Sequence, residues 1–272
     1  MGQGQTAAPA GTNGPALARS NAYGWNTMAN VSAYLRPATL DDALACLGRP
    51  GAVVLGGGTG VNAAPAREPV VVVDLQALHL GGIEHDGEDG LLIGATATFQ
   101  QLADDARVPD AIRIAARREE PSTLRTLATV GGLVATADPS SELLAALLVH
   151  GGEARLAGRD GGHSIGLAAL LADATPLAGR IITAVRVETG GVTSVARTGR
   201  TRTDRAIVAA VARRTPDGRR RLALTGVAAA PVLVAPEDPA AGLDPPGDFR
   251  GSAGYRRMLA AVLAQRALAE VG

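Results

Sequence analysis

Val53-Val54-Leu55-Gly56-Gly57-Gly58-Thr59-Gly60-Val61-Asn62 carries an apolar strand directly into a run of glycines. With no Cβ in the way, the amides of such a run can approach a diphosphate closely, and successive N–H groups form anion-binding concavities. The bland alternative is a flexible turn; the position straight after an apolar strand favours the anion. Upstream, Thr39 to Leu47 is predicted to be helical, with Thr39 as N-cap, Asp41 and Asp42 at its positive end and Gly48 just beyond it. Downstream, an irregular segment with Pro65 and Pro69 leads to a second apolar strand, Val70 to Val73, ending at Asp74.

Asp74 stands about twenty residues after Gly56, where a nicotinamide-binding fold would place its ribose carboxylate. Against that reading, the segment from Val61 to Pro69 is short and carries two prolines, whereas a parallel crossover needs a helix of about a dozen residues. The third fingerprint glycine is also missing. Gly162-His163-Ser164-Ile165-Gly166 matches the nucleophile elbow of serine hydrolases letter for letter, yet no histidine follows the serine and Arg159 to Gly162 reads as a turn.

Composition removes further classes. All 26 basic residues are Arg, so there is no Schiff-base lysine and no phosphate-binding-loop lysine. The single Cys46 excludes an internal disulfide and cannot alone hold an iron–sulfur cluster, and the four histidines show no metal-ligand spacing. The arginines Arg213, Arg214, Arg219, Arg220 and Arg221 flank a turn and have no interleaved aromatic residue, so they read as a solvated hairpin rather than a nucleic-acid surface. The adjacent carboxylates Glu119 and Glu120 read as solvent-facing. The longest apolar run, Leu143 to Val149, is far below a membrane span, and residues 1–28 read as a flexible tail without a secretory signal.

Further along, helices are predicted over Thr98 to Ala106, Pro109 to Arg118, Glu142 to Val149 and Ala253 to Val271. Strands are predicted over Leu91 to Gly94, Ile181 to Val187, Ile207 to Ala212 and Leu222 to Val227, the last two joined around Pro216-Asp217-Gly218. A second glycine motif, Thr129-Val130-Gly131-Gly132, precedes Ala135-Thr136-Ala137-Asp138-Pro139-Ser140-Ser141-Glu142.

Two glycine motifs in this order, with Asp74-Leu75, Leu92-Ile93-Gly94-Ala95-Thr96-Ala97-Thr98 and Ile181-Ile182-Thr183-Ala184-Val185-Arg186-Val187 between and after them, resemble the FAD-binding medium subunit of the molybdenum hydroxylases, the xanthine dehydrogenase and carbon monoxide dehydrogenase type. Asp204-Arg205-Ala206-Ile207-Val208, Leu222 to Val227 and Gly251 to Arg256 resemble the C-terminal domain of the same subunits. The resemblance implies an α+β chain: a two-lobed FAD-binding domain of the vanillyl-alcohol oxidase or p-cresol methylhydroxylase type at 29–176, then a C-terminal domain at 177–272 with a three-stranded antiparallel sheet.

It implies FAD as cofactor, with pyrophosphate contacts from Leu55, Gly56, Gly57, Gly58, Thr59, Gly60, Val61 and Asn62. Thr129, Val130, Gly131, Gly132, Thr136, Glu142, Ile182 and Arg197 are the further cofactor residues it implies. No residue is assigned a catalytic or metal role. The implied partners are a molybdenum-cofactor large subunit and a small subunit with two [2Fe–2S] clusters, in a cytoplasmic heterotrimer that forms dimers, with no nucleic acid and no membrane span. The implied function is an oxidoreductase subunit relaying electrons to an external acceptor; the alternative is a degenerate structural subunit without flavin. Departures from the family pattern are Leu133 for a polar residue, Glu142 for Asp, Arg197 for Lys, and a short segment without aromatics before Ile181.

Overall fold

The computed structural model describes residues 30–60, 68–201 and 204–272. The expected tail at 1–28, and Val61 and Asn62, lie outside the described residues. Three sheets organise the chain. A parallel sheet of order β1-β3-β2 joins β1 (Val31–Leu35), β2 (Ala52–Leu55) and β3 (Val70–Asp74). The central strand is nearly continuous valine and mostly buried, as expected for a parallel strand covered on both faces. Helix α1 (Leu40–Leu47) packs on it, with the Thr39 hydroxyl accepting from the Asp42 amide at 3.2 Å.

A five-stranded antiparallel sheet has the order β4-β5-β8-β6-β7, from β4 (Ile83–His85), β5 (Gly90–Gly94), β6 (Glu153–Gly158), β7 (Gly161–Gly166) and β8 (Ile181–Glu188). Its core is shared with α2 (Phe99–Asp104), α3 (Asp110–Glu119), α5 (Val130–Thr136), α6 (Glu142–Val149) and α7 (Leu167–Ala172), while the single-turn α4 (Ser122–Arg125) links α3 to the second glycine motif. Thr98 and Gln101 close α2 with a reciprocal capping box.

The third sheet is antiparallel with the order β12-β11-β10-β9: β9 (Val192–Thr198), β10 (Val208–Arg214), β11 (Arg220–Thr225) and β12 (Val232–Val234). Side chains alternate across β10, so Ala210 and Ala212 face the terminal helix α8 (Ala253–Val271), whereas Val211 joins the core that holds α6. Every residue of α6 is buried, because it lies between two sheets and has no solvent side.

Four expectations change. The C-terminal sheet has four strands, the short β12 completing its edge on β11. Strand β8 is the middle of the five-stranded sheet, paired with β5 on one side and β6 on the other. The strands β2 and β3 are adjacent and parallel, contrary to the argument from a short linker, and Thr59 and Gly60 already have helical geometry. Arg213 is fully buried rather than solvated, since it shares a face of β10 with Val211. Glu119 is buried as well, lying in register with Ile112, Ala115 and Ala116 on the inward face of α3. The elbow reading of Ser164 fails on position, for it sits mid-strand in β7 opposite Arg155.

Candidate functional site: a two-limbed cleft at the glycine motifs

Strand β2 and the N-terminus of α5 bring the two glycine motifs face to face. A Cβ on Gly57 would fall 1.6 Å from the Leu127 carbonyl oxygen, and one on Gly56 would fall 2.6 Å from the Thr129 hydroxyl. Gly60 meets the Thr136 methyl in the same way, at 3.0 Å. These glycines let two backbones touch, a tighter requirement than flexibility. Gly58 adopts φ 81°, a conformation that glycine takes freely. Among the described residues, the amides of Gly57 and Gly58 donate to no backbone carbonyl. They are the groups a diphosphate would engage.

From this contact the cleft opens in two directions. A wide limb of about 640 Å³ is lined by Gly56 to Gly60, Phe99, Glu119, Thr129, Gly132, Leu133, Thr136, Asp138 and Arg205. A narrower limb of about 330 Å³ is lined by Leu47, Val54, Ala95, Thr129, Gly131, Gly132, Arg180 and Ile182. The limbs share Val54, Gly56, Thr129, Gly132 and Ala135, so both abut the glycine motifs. FAD has a diphosphate midway between two ring systems, and two cavities that share small, amide-bearing walls fit that plan.

The amides of the second motif are engaged within the fold. Val130 donates to the Ala97 carbonyl (3.0 Å) and Gly131 to the Ala95 carbonyl (2.8 Å), while Gly132 N–H reaches the Thr129 hydroxyl at 3.3 Å. What the motif offers the cleft is the Thr129 hydroxyl and a surface without bulk at Gly131 and Gly132. The Thr136 hydroxyl donates back to the Gly132 carbonyl at 3.0 Å. Leu55 supports the first motif through its pairing with Asp74, and Val130 is fully buried beneath the second. Asp74 is occupied structurally, accepting from the Tyr34 hydroxyl and from Gln76 N–H (2.9 Å), with Arg36 at 3.5 Å. It therefore does not face a ribose.

Glu142 and Arg197 lie together, apart from both limbs. The Arg197 Nε donates to Glu142 Oε1 at 2.6 Å, and its Nη2 donates to the Asp204 carbonyl at 2.6 Å. Glu142 lines a groove beside α3 and β9. The neighbouring residue of that tether, Arg205, does enter the wide limb. Its guanidinium reaches Glu119 Oε1 at 3.1 Å and the Ser140 hydroxyl at 3.3 Å, and it also donates to Asp138. Glu119 Oε2 accepts from Leu143 N–H at 3.1 Å.

Burial pushes the Glu119 carboxyl up to about 7, against the opposing charge of Arg205. Burial also opposes ionisation of Asp138, but the hydrogen bonds from Ser140 and the Arg205 charge outweigh it and hold that carboxyl below its usual range. None of Glu119, Asp138 or Arg205 was singled out by sequence as a site residue. Asp138 stood inside the second motif's frame, and the spacing Ile112, Ala115, Ala116, Glu119 is the available signal for the buried carboxylate. Among the described residues, no cluster of three or more His, Cys, Asp or Glu is placed to hold a metal, and no helix is long and apolar enough to cross a membrane.

A family model described as the FAD binding domain in molybdopterin dehydrogenase matches residues 27–188. The chain belongs to that family: it is an FAD-binding oxidoreductase chain of the molybdenum hydroxylases, and its cofactor is FAD. The uncharacterized protein YgfM of Escherichia coli K12 is 32% identical over 121 residues, 43% of this chain and 46% of YgfM. The aligned part thus spans about half the length of that curated relative. Among solved structures, a chain of reconstituted CO dehydrogenase from Oligotropha carboxidovorans superposes with a TM-score of 0.79 at 24% identity, covering 90% of this chain and 99% of that one. A chain of quinoline 2-oxidoreductase from Pseudomonas putida 86 gives a TM-score of 0.78 at 22% identity, covering 90% and 98%. At these identities the superpositions establish the fold.

Proposed function

We propose that this chain is the electron-relay subunit of a molybdenum hydroxylase complex. In this reading a molybdenum-cofactor large subunit oxidises the substrate and a small subunit with two [2Fe–2S] clusters delivers electrons. FAD, which accepts electrons singly and releases one or two, passes them to an external acceptor. The complex is a cytoplasmic dimer of heterotrimers. The two lobes are those of the vanillyl-alcohol oxidase type, the parallel sheet forming one and the five-stranded sheet the other. The observation that carries the reading is the pair of cavities that adjoin at the two facing glycine motifs.

The chain's own residues bind and orient. Gly56 to Gly60, continuing into Val61 and Asn62, hold the diphosphate through backbone amides; Thr129, Gly131, Gly132 and Thr136 form the opposite wall, and Ile182 closes the narrow limb over one ring system. Glu142 and Arg197 act one layer back, tethering the segment before Arg205 through the Asp204 carbonyl.

The test is the absorbance spectrum of the purified full chain after adding FAD and desalting. Flavin bands that survive desalting in the parent and are lost in Gly132→Asp, with the circular dichroism of both unchanged, are the expected result. Gly132 is preferred to Gly57 because a Cβ there meets only the Thr129 side chain, at 3.1 Å, whereas at Gly57 it would strike backbone. A folded chain that stays colourless even with its partner subunits would make it a structural subunit instead.

A further inference from the structure

Arg205 is the arginine that lines the wide limb among the described residues, and it is held rigidly there. Its Nη1 is tied to Asp138 and to Ser140 Oγ, and its Nη2 to both Glu119 Oε1 (3.1 Å) and the Glu119 carbonyl (3.5 Å). The side chain is still 39% exposed, toward a cleft rather than sealed in the core. Glu119, Glu120 and Asp138 line the same limb; Glu119 and Asp138 are hydrogen-bonded to Arg205, while Glu120 stands off at 4.0 Å, so one cation and two bonded carboxylates are fixed at its wall. The larger limb suits the tricyclic ring of FAD, the larger of its two ring systems, and the smaller limb suits adenine.

Charge fixed beside a flavin ring alters how readily it is reduced, because reduction places electron density on the ring where a part-buried wall screens it less than bulk water does. Resting on the relay reading above, we propose that the Arg205–Glu119–Asp138 cluster sets the reduction potential of the bound FAD, with Arg205 raising it and the two carboxylates lowering it. The signs follow from charge alone. Removing the guanidinium leaves two carboxylates without their cation, while removing the Glu119 charge leaves Arg205 less compensated. Since burial pushes Glu119 up to about 7, its contribution is read above that pH.

The experiment is a dye-equilibration titration at pH 8 of the FAD-loaded full chain, comparing the parent with Arg205→Gln, Glu119→Gln and the double variant. Arg205→Gln is expected to become harder to reduce by about tenfold in the equilibrium constant, about 30 mV for a two-electron couple. Glu119→Gln shifts the opposite way, and the double variant lies between them. A packing role would not give opposite signs. Should Arg205→Gln lose FAD, Glu119→Gln still carries the test through the sign of its shift. Coloured variants whose potentials match the parent, or shift in one common direction, overturn the assignment and leave the relay reading intact. Loss of FAD from all three variants overturns it in favour of a purely structural cluster. A parent chain that never turns yellow removes both.

Discussion

Two arginine clusters, one at the cleft and one at the junction of the sheets, treat a carboxylate in opposite ways. At the junction Arg213 is fully buried and donates to Glu188 Oε2 at 2.8 Å, to the Val149 carbonyl at 3.2 Å and to the Thr189 carbonyl at 2.9 Å. Arg221 adds a second guanidinium to the same carboxylate, at 2.8 and 2.9 Å. Burial opposes ionisation of Glu188 as well, yet its two arginines hold it below the usual carboxylate range. At the cleft, Glu119 is more deeply buried and shares one arginine with Asp138, and burial wins. What decides between an anchored anion and a titrating one is the number of cations per carboxylate set against the water it has lost.

Breaking the junction should have the largest effect. Arg213→Met strands the carbonyls of Thr189 and Gly190, leaves the Val149 carbonyl to Arg221 alone at 3.4 Å and takes one of two guanidiniums from Glu188, and a loss of about 3 kcal/mol is expected, as for a broken buried pair. Urea unfolding measures it; a loss below about 1 kcal/mol would mean that Arg221 alone suffices.

The second effect sharpens the contrast through pH. The folded chain holds the Glu119 proton more tightly than the unfolded chain does, since its folded pKa is raised from 4.5 to about 7. The protonated folded form is therefore favoured: its full benefit is present below pH 4.5 and is lost as pH rises through 7. Glu119→Gln should remove a fall in stability on the order of 2 kcal/mol across that window. Parallel slopes for parent and variant in melts from pH 5 to pH 8 would refute the neutral carboxyl.

The smallest effect is a control next door. Glu120 stands 4.0 Å from the Arg205 guanidinium and is partly exposed, so Glu120→Gln should change stability by under about 0.5 kcal/mol, and calorimetry should find its melting temperature close to the parent's.

Much of the scaffold was legible because its signals are local. Thr39 and its two aspartates mark α1, Ala253 to Val271 is found as one helix, and both glycine motifs lie in the cleft. What escaped was set by partners distant in the chain. Strand β7 holds Gly161-Gly162-His163-Ser164, with no apolar pattern, and is a strand because β6 pairs with it. Strand β1 is exposed over most of its length and is defined by its pairing with β3. Arg213 and Glu119 carry charge at positions whose parity or helical register is inward, so residue type and register point opposite ways and register prevails. The Arg205 position could not be read at all, because its three partners lie on α3 and on the loop before α6.

The placing of β8 between β5 and β6 bears on how the chain is made. Gly90 pairs with Glu188, and Ala154 with Val185, so the two halves of the five-stranded sheet have no direct pairing with each other. At a ribosomal pace of about 5–20 residues per second, the β5 edge waits several seconds or more for its neighbour. A nascent chain stopped at residue 176 would present two open hairpin edges. Those edges are the point at which a holding chaperone, or another copy emerging nearby, would compete with the native strand.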